Sequence, residues 1–233
     1  MDFDRMLRYC AELELNNNRE WFHANHDFYE RAKEDFTELV DLLKYRVANA
    51  VTPDMAEKML FTQPRDMMFR IPRDARVWKN KPPSNPSWRA FISPDRKGIL
   101  PLGYFIMIAP GGQSHFCTGA WFLSREQMYL VRNHIVENFD LFEDILERGG
   151  LELMGDSLKR VPPEYDPGDP WAEYMKLKEW YVVEYFPDSS LGSFEDFEKT
   201  IDRCLARMEP LRRFLDDALT RRVRSPWNRD DLE

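Results

Sequence analysis

Between Arg70 and Lys81 the chain places five cations, Arg70, Arg73, Arg76, Lys79 and Lys81, and one carboxylate, Asp74, within twelve residues. Charges this dense repel one another, so a fold that keeps them together solvates them, pairs them or presents them to an anion. Arginine suits the last role, because its planar fork can engage a phosphate or carboxylate through two parallel hydrogen bonds. Asp74 would then hold one arginine in place. In extended backbone, side chains alternate, so Arg70, Asp74 and Arg76 fall on one face and Arg73 on the other, unless a turn near Pro72 re-aims Arg73. A structural reading stands beside this one, in which the arginines pair with acidic helix residues and brace a loop.

A second constellation is Asn16-Asn17-Asn18-Arg19-Glu20-Trp21-Phe22. Asparagine caps helices by accepting from unpaired first-turn amides. With Asn17 as cap, Glu20 falls at the third helical position and completes a capping box. Capping leaves Arg19 unexplained. Arg19 and Glu20 are therefore expected at the rim of a cleft floored by the Arg70–Lys81 segment, binding a phosphate- or carboxylate-bearing small molecule. If the site is catalytic, Glu20 or Asp74 is the general base. The competing class is a non-catalytic module that meets nucleic acid or a protein through the same basic edge.

Other reactive residues carry less. His23 and His26 lack the i, i+4 spacing and third ligand of a zinc helix, so no metal is expected. His115, after a Gly-Gly turn, could serve as a base. Cys117 reads as a small buried hydrophobe. No nucleophile elbow, phosphate-binding loop or dinucleotide-binding turn occurs, and no cofactor is expected.

The elements that must position these residues follow from periodicity. Phe3, Met6, Leu7, Cys10 and Leu13 mark a helix, and a second is expected from Asn17 to about Ala50, ended by Thr52-Pro53. Short strand-like runs follow: Trp88–Ser93, a stretch within Gly98–Ala109, and His115–Leu123 after the Pro110-Gly111-Gly112-Gln113 turn. Their short loops require an antiparallel meander. Aromatic residues along it, Tyr104, Phe105, Phe116, Trp121 and Phe122, are expected in the core, although an open face could stack bases. Ser124 and Gln127 form a capping box for a helix that Asn138 breaks. A Pro/Gly/Asp-rich loop spans 155–170, a strand runs near Glu179–Phe186, and a last helix runs from Ser193 to about Val223. The expected fold class is α+β: one domain over 1–223 with a central antiparallel sheet packed by N-terminal, middle and C-terminal helices, then a polar tail over 224–233.

Composition narrows the partners. The chain has 233 residues, 33 Lys+Arg against 41 Asp+Glu, and a net charge of −8, which disfavours a general nucleic-acid binder without excluding a local basic cleft. Three cysteines with no CxxC pair indicate neither a disulfide framework nor a zinc knuckle. No apolar run approaches the roughly 18 residues of a membrane span, and the N-terminal residues lack a signal-peptide layout. A cytoplasmic protein without a membrane partner is expected, its oligomeric state left open.

The Asn16–Phe22 segment, with Arg70-x-x-Arg73-Asp74-x-Arg76 and Asn80-Lys81, resembles a bacterial family with fungal members catalogued as domain of unknown function 2461. The likeness extends through Gly103-Tyr104, Pro110-Gly111-Gly112, Leu158-Lys159-Arg160 and Leu177-Lys178, from about residue 3 to 219. The resemblance implies no activity, because the family carries none that transfers. The chain departs from the pattern at Val77, where the motif has Phe, and at Ser84, where it has Tyr.

Overall fold

A computed structural model describes residues 1–73, 82–93 and 102–220. The described residues form an α+β structure whose four strands make one antiparallel sheet in the order β1-β2-β3-β4. The strands are β1 (Trp88–Ile92), β2 (Leu102–Ile108), β3 (Ser114–Ala120) and β4 (Trp180–Phe186). By contact density the chain divides into two compact units, one of residues 1–98, 103–117 and 183–206, the other of 99–102, 118–182 and 207–233.

In the first unit, α1 (Phe3–Leu15) starts where the Asp2 side chain accepts from the Arg5 amide at 2.9 Å. It buries Phe3, Met6, Cys10 and Leu13, spaced i, i+3, i+7, i+10, and leaves Leu7 of the expected stripe half-buried. The helix expected from Asn17 to Ala50 is two helices, α2 (Arg19–Ala24) and α3 (His26–Ala50). Asn25 divides them: it sits at φ −109°, ψ 26°, outside helical geometry, and its amide nitrogen and backbone N–H both bond Trp21 O. The cap of α2 is Asn18, whose Oδ1 accepts from Trp21 N at 2.8 Å, so the expected Asn17–Glu20 capping box does not form. Asn17 instead bonds the Ser84 backbone.

Helices α4 (Pro53–Phe61) and α5 (Pro64–Met67) follow α3, and α3 and α5 pack against β1. The β1–β2 register sets Trp88 opposite Ile108, Phe91 opposite Phe105 and Ile92 opposite Tyr104. Alternation sends Trp88, Ala90, Ile92, Tyr104 and Ile106 into the core. There Trp88 meets Tyr9, Tyr29 and Phe36, and its indole N–H donates to Met6 O at 3.2 Å. Of the five aromatics expected in the core, Tyr104 and Phe116 stack there with centroids 5.3 Å apart, whereas Phe105 and Trp121 are half-buried and Phe122 is exposed. The Gly111 and Gly112 amides after β2 each donate to an Asp188 carboxylate oxygen at 2.9 Å.

The second unit contains α6 (Arg125–Glu137), α7 (Phe139–Gly149) and α8 (Ala172–Met175). The Ser124–Gln127 capping box forms, and Asn138 separates α6 from α7. The last helix, α9 (Phe194–Thr220), belongs in part to each unit. Among the described residues no helix is long and apolar enough to cross a membrane. The 224–233 tail lies outside the described residues.

Candidate functional site

Residues 71–73 and 83–85 run antiparallel as the two sides of a hairpin. Pro72 bridges Ser84, Arg73 N donates to Pro83 O at 2.8 Å, and Asn85 N donates to Ile71 O at 2.8 Å. Asn17 grips this hairpin from the start of α2: its Nδ2 donates to Ser84 O at 3.0 Å and its Oδ1 accepts from Ser84 N at 2.9 Å. Arg73 supports the same strand pair, with Nη1 donating to Pro82 O at 2.8 Å and Ser84 O at 2.5 Å. Ser84 is buried.

The charge of Arg70, itself exposed, acts on the Tyr29 phenol of α3, whereas that of half-buried Arg73 acts on Arg89 of β1. Arg19 and Glu20 occupy the first turn of α2, both exposed. Asp74, Arg76, Lys79 and Lys81 lie outside the described residues, as does Val77.

Arg89 was not singled out by sequence, because one arginine in a short strand carries no motif. Its neighbours make it the centre of the described site. It projects from β1 on the face opposite the helix-packed Trp88 and Ala90. Its Cζ lies 5.5 Å from the Phe69 ring centre, a cation–π distance, and its Nη2 donates to Arg70 O at 3.3 Å. Turned to satisfy both ends of its amide, Asn85 accepts from Nη1 and Nη2 at 3.0 and 3.1 Å. The Nε is buried without a partner. Among the described residues no carboxylate pairs with Arg70, Arg73 or Arg89. Burial first, and the Arg73 charge second, hold the Arg89 guanidinium below its ordinary pKa. An unneutralised, partly desolvated cation is the electrostatic condition that an anion relieves.

Beside Arg89 runs a row of rings. Phe69 lies 6.0 Å from Phe105, Phe105 stacks on His115 at 5.8 Å, and His115 meets Tyr185 at 5.3 Å. These four are half-buried or exposed, unlike the helix-facing aromatics. His115 Nδ1 lies 2.9 Å from Gln113 O, so the neutral ring donates there and leaves Nε2 as an acceptor. Burial lowers the His115 pKa below its ordinary value, and the Gln113 bond only partly opposes this. At neutral pH the ring can therefore accept a proton.

No group of three or more His, Cys, Asp or Glu able to hold a metal occurs among the described residues, and His26 lies 3.8 Å from Glu30. All three cysteines are buried, and burial pushes the Cys117 thiol up to about 12, which makes it inert as a nucleophile.

Compared with known sequences, the chain matches the family model described as "Conserved hypothetical protein (DUF2461)" over residues 5–214. The chain belongs to this family. The match spans both compact units and includes the hairpin, Arg89 and the ring row. No curated protein and no solved structure matches the chain. DUF2461 membership therefore fixes ancestry, and the chemistry has to come from the site.

Proposed function

We propose that this DUF2461 protein binds a ring-bearing anionic small molecule on the Arg89 face of its sheet. The anion, a phosphate or carboxylate, meets the guanidinium of Arg89 beside Arg73. The ring lies along Phe69 and Phe105, where aromatic contact adds about 0.5–1.5 kcal/mol beyond buried area. The observation that carries this reading is Arg89: its Nε is buried without a partner, and no described carboxylate neutralises it. Arg73 contributes field more than contact, since its Nη1 is committed to the hairpin carbonyls. Arg70, Arg76, Lys79 and Lys81 belong to the same basic stretch of the sequence, whose charge adds to the attraction. His115, Glu20 and Asp74 are the candidate proton acceptors for a reaction on the bound molecule.

The test is binding of phenyl phosphate and benzoate, followed by thermal shift and calorimetry, to wild type and to Arg89→Gln. At 100 times its dissociation constant a ligand stabilises the fold by about 2.7 kcal/mol. The expected result is such a shift with wild type, its loss in a folded Arg89→Gln protein, and a weaker shift with inorganic phosphate. No shift with either aromatic anion would refute the reading. Tighter binding of a short oligonucleotide, falling steeply with salt, would assign the face to nucleic acid instead.

A further inference from the structure

The second compact unit holds a separate cleft of about 990 Å³ between α6 and the 158–165 loop. Five cations line it, Arg125, Arg132, Lys159, Arg160 and Lys178, against two carboxylates, Glu126 and Glu164. The walls are fixed from both sides. Leu158 N donates to Lys176 O and Lys178 N to Asp156 O, while Tyr165 Oη donates to Asn133 Oδ1 on α6 at 2.9 Å. The loop carries Pro162 and Pro163, which restrict its backbone further.

Arg132 is the informative residue. It is only 9 % exposed, its Nη2 donates to Leu177 O at 2.8 Å, and its Cζ sits 5.8 Å from the Trp180 ring centre. Its Nε is buried with no partner, and no carboxylate of the described residues forms an ion pair with it, although the charge of Glu164 on the cleft wall acts on it. Arg212 of the same unit shows how this protein treats a buried arginine that only supports the fold. It is fully buried, and Glu209 accepts from its Nε and Nη2 at 2.7 and 2.9 Å. Removing a guanidinium from water without a counter-ion costs several kcal/mol. An arginine kept this way, at the wall of a cleft whose other cations are exposed, matches a site completed by an anion.

We propose that this cleft binds a small molecule carrying an oligophosphate chain. One phosphate needs only two or three cationic partners, whereas five cations spread along the cleft, with a net excess of three over the carboxylates, match a di- or triphosphate. Arg132 holds the innermost phosphate, and Lys159, Arg160 and Lys178 hold the outer ones. Most of the wall is apolar, with Met128, Leu158, Val161 and Pro162 among its residues, and the organic portion of the ligand packs there. The volume lies at the upper end of the range for small-molecule sites, about 300–1,000 Å³.

The experiment titrates inorganic tripolyphosphate and inorganic orthophosphate into wild type, Arg132→Gln, Lys159→Gln/Arg160→Gln and Arg148→Gln by calorimetry. Arg89→Gln is titrated alongside, so binding that survives Arg89→Gln and weakens in Arg132→Gln belongs to this cleft and not to the aromatic face. The expected result is saturable tripolyphosphate binding at least about tenfold tighter than orthophosphate, weakened about tenfold or more by Arg132→Gln and by the loop double variant. Arg148→Gln, an exposed α7 site paired with Asp144, leaves the affinity unchanged. If Arg132→Gln does not fold, the exposed loop double variant decides alone. No saturable tripolyphosphate binding, no preference over orthophosphate, or equal binding by the folded variants would each overturn the proposal.

Discussion

Asn17 and Ser84, 67 residues apart, hold each other through both ends of one side-chain amide, at 3.0 and 2.9 Å. This two-point clasp ties the entrance of α2 to the hairpin that carries Arg73. It also explains why Asn17 does not cap the helix, because its oxygen and nitrogen are already committed. The neighbouring Asn18 caps instead.

Asn17→Ala removes both bonds and leaves the Ser84 amide without its partner, so it should cost about 1–3 kcal/mol. Asn17→Asp keeps the acceptor and loses the donor, and should fall between wild type and Ala. Urea melts of the three proteins check the order, and equal midpoints would show that the clasp carries no stability.

Arg73 and Arg89 should respond differently to replacement by methionine. Arg73→Met loses bonds to the Pro82 and Ser84 carbonyls, and should cost about 1–3 kcal/mol. Arg89→Met loses bonds to Arg70 O and Asn85 but also removes an uncompensated charge from a half-buried, ring-lined place. The two effects offset, so the change should lie within about 1 kcal/mol of neutral. A large loss of stability in Arg89→Met would show that Arg89 is a structural brace.

His115 gives a pH dependence with a definite sign. Its pKa in the fold lies below the ordinary 6.5, mainly through burial. The unfolded chain therefore binds the proton more readily, and stability falls as pH drops through 6.5 toward the folded value, then levels off. His115→Gln should remove that part of the slope. Melting temperatures of both proteins from about pH 5 to 7.5 supply the difference curve; parallel curves would contradict the assignment.

Gly119 is required where β3 passes β4. Its φ is +151°, and an added Cβ would collide with Trp180 O and Tyr181 Cα. The obstruction is backbone, which cannot rotate away. Gly119→Ala should cost about 3 kcal/mol or more, from strain and displacement together. Thermal denaturation measures it, and a variant as stable as wild type would mean the strands separate at little cost.

Much of the fold was legible in the chain itself. The α1 stripe, the Ser124–Gln127 box, the Asn138 break and the short strands are local: periodicity and capping chemistry act over a few residues, so the sequence carries them directly. The break at Asn25 was missed because the apolar pattern continues across it, and only the Asn25 geometry shows that the backbone does not. The family, too, was readable from the asparagine and arginine segments.

Tertiary structure decided what the sequence left open. Asn17 could cap a helix or clasp a distant hairpin, and a contact across 67 residues leaves no local signature. Arg89 and Arg132 look ordinary in a chain with 33 basic residues. Their character arises from burial and from which carboxylates stay out of reach. Charge types are written in the sequence, but whether a charge is neutralised depends on distances that only the folded chain sets.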